Sequence, residues 1–212
     1  MAQTMIELRP RLGSRPALER RAKQLAYLGN GWHLIEFGIA LGAGIAAGSV
    51  ALTSFAGDSL VEVLAASVIV WLFSANRGDS ARAERRAQQL VATSYYLLVA
   101  YIVSQALYDL IAGSRPTASW VGIGLAAFTA PTMPLLARAK RNVGRALNSS
   151  ATVSEAGQNQ ICAYLSIALL VGLLLNAIAG WWWADPAAAL VIAGFALYEG
   201  RESWRGTACD CC

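Results

Sequence analysis

Two carboxylates stand where an apolar run should carry none: Asp58 and Glu62, four residues apart within residues 50 to 73. Helical geometry stacks positions i and i+4 on one face. One Asp at mid-bilayer costs roughly 2.5 to 3.5 kcal/mol on insertion scales, so two on one face require a cation, a proton or water. Protonation with hydrogen bonds from Ser54 and Ser59 is the alternative means of neutralising them. All seventeen Lys and Arg lie at the ends of the apolar runs or between them, leaving none at mid-membrane as a counter-ion, which favours a bound cation. Oxygen ligands from one helix, joined by ligands from a facing helix, can close a tetrahedral divalent site. The facing ligands are best sought at Gln158 and Cys162, again four apart, with Ser166 a turn further on; helix packing is the plainer alternative for that pair.

Two further groups carry chemistry. His33 and Glu36 lie three apart on one face near the start of the first apolar run, and His33 is the one histidine in the chain. Imidazole titrates near neutral pH, so the pair suits a proton or metal relay at an inner vestibule; a hydrogen-bonded boundary pair is the plainer alternative. Cys209, Cys211 and Cys212 crowd the last four positions. Such close thiols make poor disulfide partners and suit a reducing compartment, where they could capture a thiophilic ion; an unstructured tail without metal is the alternative. No Ser/His/Asp set, His-Glu-x-x-His motif or phosphate loop is present, so the chain does not read as an enzyme and needs no prosthetic group.

These residues need elements to hold them. Of 212 residues, 56% are hydrophobic and 14% charged, too apolar for a soluble two-domain enzyme. A bilayer crossing takes about 20 residues of helix, and six apolar spans are predicted at 31–47, 50–73, 90–112, 118–137, 157–180 and 186–203. The fold class is therefore an all-α polytopic membrane protein with six transmembrane helices. Sixteen of the seventeen Lys and Arg fall on one face of that arrangement, with Arg115 alone on the other. Retention of positive loops then puts both termini in the cytoplasm. It also accounts for the basic segments without any nucleic-acid partner.

Trp32, Trp71 and Trp204 at one set of ends, and Trp120, Trp181, Trp182 and Trp183 at the other, fit the two headgroup boundaries. Gly38, Gly42, Gly44 and Gly48 offer small-x-x-x-small pairs for helix packing. The expected organisation is a basic cytoplasmic segment at 1–30, a transport domain at 31–203 and a short Cys-rich tail at 204–212. The polar, basic start lacks the apolar core of a cleaved signal peptide, which suits a bacterial inner membrane.

The stretch GSVALTSFAGDSLVE, Gly48 to Glu62, resembles the second transmembrane helix of the cation diffusion facilitator family. There a Gly-Ser start leads to two metal-binding positions four apart, onto which Asp58 and Glu62 fall. Gln158, Cys162 and Ser166 fall on the spaced polar positions of that family's fifth helix, and Trp183, Asp185 and Pro186 match its Trp-x-Asp-Pro entry to the sixth. The resemblance implies export of a divalent metal in exchange for protons, from a dimer in the bilayer.

Three departures stand out. Glu62 replaces the usual Asp. Gln158 and Cys162 replace carboxylate or imidazole ligands, and a thiolate shifts preference toward softer ions such as Zn²⁺ or Cd²⁺. The soluble cytoplasmic domain usual in the family is expected to be missing, with only the tail after the sixth span. The expected site is thus Asp58, Glu62, Gln158 and Cys162. A non-transporting metal sensor or accessory subunit is the competing reading. Counted from their external ends, Glu62 and Cys162 differ in depth by about five residues, an offset that tilt, or a helix start near Ser154, would close.

Overall fold

The computed structural model describes residues 15–74 and 81–205. Those residues form six helices and no strand: α1 (Arg15–Ala47), α2 (Val50–Ser74), α3 (Ala81–Ala112), α4 (Trp120–Leu147), α5 (Ser150–Ala179) and α6 (Ala184–Arg205). The six predicted spans each correspond to one helix. Windows in α3, α4 and α5 are long and apolar enough to cross a membrane.

The helices outrun the apolar spans at the end where the basic residues gather. With 33 residues, α1 is about 50 Å long, against roughly 30 Å of hydrocarbon. Its buried positions, Leu18, Ala22, Ala26, Gly29, His33, Glu36, Ala40, Gly44 and Ala47, recur every three or four residues. One stripe therefore runs from the basic start of the helix through its apolar half. Likewise α5 begins at Ser150, not at residue 157, because Ser149 caps it by accepting from the Thr152 amide at 3.3 Å.

Two hairpins organise the bundle, α1 on α2 and α4 on α5, with α3 packed on α6. The hairpins close by like turns. Gly48, at φ 65°, donates its amide to Ile45 and Ser49 donates to Gly44; Asn148, at φ 52°, donates to Arg145 and Ser149 to Gly144. The left-handed residue ends the first helix, and the serine after it caps the next, Ser49 accepting from Leu52 at 3.1 Å. Close packing at each turn relies on Gly44 and Gly144, where an added Cβ would lie 3.0 Å from the backbone nitrogens of Thr53 and Val153. Among the described residues Gly38 and Gly42, expected to pack against a neighbouring helix, have nothing within 4 Å of where a Cβ would stand, and of that set Gly44 alone makes such a contact.

The Trp-x-Asp-Pro stretch ties these parts together. Asp185, at the start of α6, accepts from Ser49 Oγ at 2.5 Å and from the Ala51 amide at 3.2 Å. It therefore caps the first turn of α2 from another helix, a favourable place for a negative charge. Helix α2 packs against α1, α3, α5 and α6. Large apolar side chains, among them Ile45, Leu97, Ile111 and Ile178, point outward, while His33, Glu36, Asp58, Glu62, Lys140, Glu155 and Asn159 are buried inside. That inversion suits lipid outside and an ion path within.

Candidate metal centre

Four ligand-bearing side chains converge at the contact of α1, α2 and α5. His33 and Glu36 come from the buried stripe of α1, Glu62 from α2 and Cys162 from α5. One ligand atom from each lies within 4.8 Å of all the others, and all four residues are buried. His33 Nδ1 stands 3.1 Å from Glu36 Oε2 and 3.0 Å from Glu62 Oε2.

The two carboxylates differ in how they are held. Glu36 accepts from Thr129 Oγ1 at 2.6 Å on one oxygen and from Ser59 Oγ at 3.1 Å on the other. Glu62, sealed from solvent, has no hydroxyl or backbone donor among the described residues; its neighbours are the His33 ring, 3.0 Å from Oε2, and the Cys162 thiol. A buried carboxylate held only by a shared ring nitrogen and a thiol is expensive, and a cation is a partner that would relieve it. Oδ1 of Asn159 is a further buried acceptor with no hydrogen-bond partner among the described residues. The Asn159 Nδ2 group faces His33 Nε2 at 3.0 Å and Met133 Sδ at 3.8 Å. As oriented, Nδ2 donates to Nε2, which leaves the ring proton on Nδ1, between the two carboxylates.

The donor set, one imidazole, one thiol and two carboxylates, is the chemistry of a tetrahedral zinc-type site. Ligand atoms about 2.0 to 2.3 Å from a tetrahedral ion stand roughly 3.4 to 3.8 Å from each other. Separations of up to 4.8 Å therefore need to shrink by about 1 Å, within reach of side-chain rotation.

Of the four residues expected as ligands, the structure brings Glu62 and Cys162 together. It joins to them His33 and Glu36, which were read as a vestibule pair. Asp58 is buried, one turn from Glu62 on α2, and is not one of the four. Gln158 is buried next to Asn159, and it is Asn159 that reaches His33. The hydroxyls considered as partners for Asp58 and Glu62 go elsewhere: Ser54 donates to the Val50 carbonyl at 2.6 Å and Ser59 to Glu36. The early start of α5 places Cys162 beside Glu62, so the depth offset expected between them is absent. Cys209, Cys211 and Cys212 lie outside the described residues.

Three features escaped the sequence reading. Thr129 sits in a run of small residues ahead of Pro131 and Pro134 and shows no polar pattern. Asn159 was overshadowed by its neighbours at the expected spacing. Lys140, placed with the basic residues beyond the fourth span, is in fact 1% exposed and bonded to Glu155; its helix continues to Leu147 and carries it inside the bundle.

Comparison with known proteins agrees with this picture. The cation efflux transmembrane domain family matches residues 33–207. An uncharacterized transporter from Synechocystis sp. is 28% identical over an alignment of 196 residues that covers 89% of this chain and 63% of that protein. The chain thus spans less than two thirds of the length of this curated relative.

Proposed function

The chain belongs to the cation efflux family, and from that premise we propose that it carries a divalent transition-metal ion across a bacterial plasma membrane, out of the cytoplasm and against protons. The observation that supports this most is the buried meeting of Glu62 with His33, Glu36 and Cys162, whose ligand atoms, from three helices, lie within 4.8 Å of one another. Nitrogen, sulfur and carboxylate oxygen together favour Zn²⁺ or Cd²⁺ over Mn²⁺ or Mg²⁺.

Exchange follows from ligand chemistry. Carboxylates and the Cys162 thiol bind a metal well only after losing their protons, so metal and protons compete for the same atoms. Rocking of the helices about the site would open it to one side at a time. Asp58 and Gln158, on the same two helices as Glu62 and Cys162, are assigned to the path of the ion rather than to its resting position. The cytoplasmic tail thiols Cys209, Cys211 and Cys212 collect the ion, and two copies associate through their membrane spans.

Proteoliposomes enclosing a metal-sensitive dye test the reading under an imposed pH gradient. The protein should move Zn²⁺ and Cd²⁺ faster than Mn²⁺, and Glu62→Gln should slow all three by about tenfold or more, a range typical for damaged metal sites. Full activity in Glu62→Gln would remove the site. Tight Zn²⁺ binding without any flux would favour the sensor reading instead.

A further inference from the structure

Lys140 is buried on α4, with its Nζ 2.5 Å from Glu155 Oε1 on α5. A third helix completes the enclosure: a Cβ on Gly29 of α1 would lie 2.9 Å from that Nζ. The ion pair thus sits where α1, α4 and α5 meet. The same three helices supply His33, Thr129 and Met133, and Asn159 and Cys162 to the metal centre.

The levels of the two features follow from residue spacing. Gly29 is one turn before His33 on α1, and Glu155 one turn before Asn159 on α5, about 6 Å along each axis. Lys140 lies two turns beyond Met133 on α4, toward Arg141 and Arg145. The pair therefore occupies the layer next to the metal centre on the side of the bundle's basic end.

An apolar layer would close that route at no greater cost, since buried ion pairs rarely stabilise a fold more than apolar side chains of similar volume. What an ion pair adds is sensitivity to a cation. A divalent ion arriving from the basic end competes with the ammonium for Glu155 and repels Lys140. An ion-free centre, rich in carboxylate, draws Lys140 inward. We propose that the Lys140 to Glu155 pair is the gate on the basic side of the transport site: closed while paired, and opened when the cargo takes over Glu155. This rests on the metal-centre reading above.

Cys162, inside the centre, is a built-in reporter. With Cys209, Cys211 and Cys212 changed to Ser it is the sole thiol, and its alkylation by a membrane-impermeant maleimide reads access from either side in turn. In metal-free proteoliposomes, the double variant Lys140→Met/Glu155→Gln, which leaves no unpaired buried charge, should be labelled at least about tenfold faster from the basic side. The exchanged pair, Lys140→Glu/Glu155→Lys, should return to slow labelling. Unchanged labelling in the neutral pair, faster labelling from the opposite side only, or fast labelling in the exchanged pair would each overturn the gate. Protection by added Zn²⁺ tests the metal centre separately: its absence in every variant would remove that reading, whereas the gate is judged on metal-free rates alone.

Discussion

At the scale of single residues, the proposed centre rests on one soft ligand and one amide. Cys162→Ser keeps a small polar group but replaces sulfur with a hard oxygen, so the ratio of Cd²⁺ to Mn²⁺ transport in the proteoliposome assay should fall about tenfold. Asn159 acts through His33. For Nδ1 to bind a metal, the ring proton must move to Nε2, and Asn159 can turn its amide over to accept that proton's hydrogen bond through Oδ1. Asn159→Leu removes this option and should weaken Zn²⁺ binding by roughly tenfold to a hundredfold, while Asn159→Asp, which keeps an acceptor, should largely restore it; calorimetric titration in detergent reads both. Equal affinities for Leu and Asp at this position would deny Asn159 its part. Glu62 and Cys162 were legible in the sequence because a charge and a thiol stand out in apolar helices. Asn159 was not, because nothing local distinguishes it from Gln158, one residue and about 100° away around the helix.

At the scale of elements, the two hairpin turns set the depth at which side chains meet. The turn of α1 into α2 needs Gly44 bare, since a Cβ there would stand 2.8 Å from Thr53 Cγ2 as well as against the Thr53 backbone. Gly44→Val should therefore destabilise the protein by about 1 to 3 kcal/mol. Gly42→Val, in open space, should change stability by less than about 0.5 kcal/mol. Thermal unfolding in detergent separates them, and equal melting temperatures would show that the turn tolerates more than its geometry suggests. The presence and order of all six helices were readable from apolar runs, Gly, Pro and basic clusters. Their polar extensions were not, because residues 15–30 of α1 and 138–147 of α4 lack continuous hydrophobicity. They are helical through a narrow stripe of small buried residues, Ala22, Ala26 and Gly29 among them.

At the scale of the whole molecule, large apolar side chains face outward along the helices while the carboxylates Glu36, Asp58, Glu62 and Glu155 are buried within, a distribution a water-soluble bundle avoids. The distribution of Lys and Arg predicts which end faces the cytoplasm, and labelling can check it. A cysteine at Ser114, beside Arg115 in the α3 to α4 connection, should react with an impermeant maleimide added to intact cells that produce a chain otherwise free of cysteine. A cysteine at Arg145 should react only after lysis. The opposite pattern would invert the orientation and with it the proposed direction of transport.

The amino-acid sequence alone determined the class of molecule, its six helices and the presence of buried acids, since each depends on hydrophobicity and spacing within one segment. Tertiary structure decided the partners: His33 and Glu36 with Glu62 and Cys162, and Lys140 with Glu155. The reason is geometric. Whether residues on different helices share a depth depends on where each helix begins, and each residue of error displaces a side chain by about 1.5 Å along the axis and 100° around it. The start of α5 at Ser150 is a property of its cap and its hairpin with α4, and it is what brings Cys162 level with Glu62.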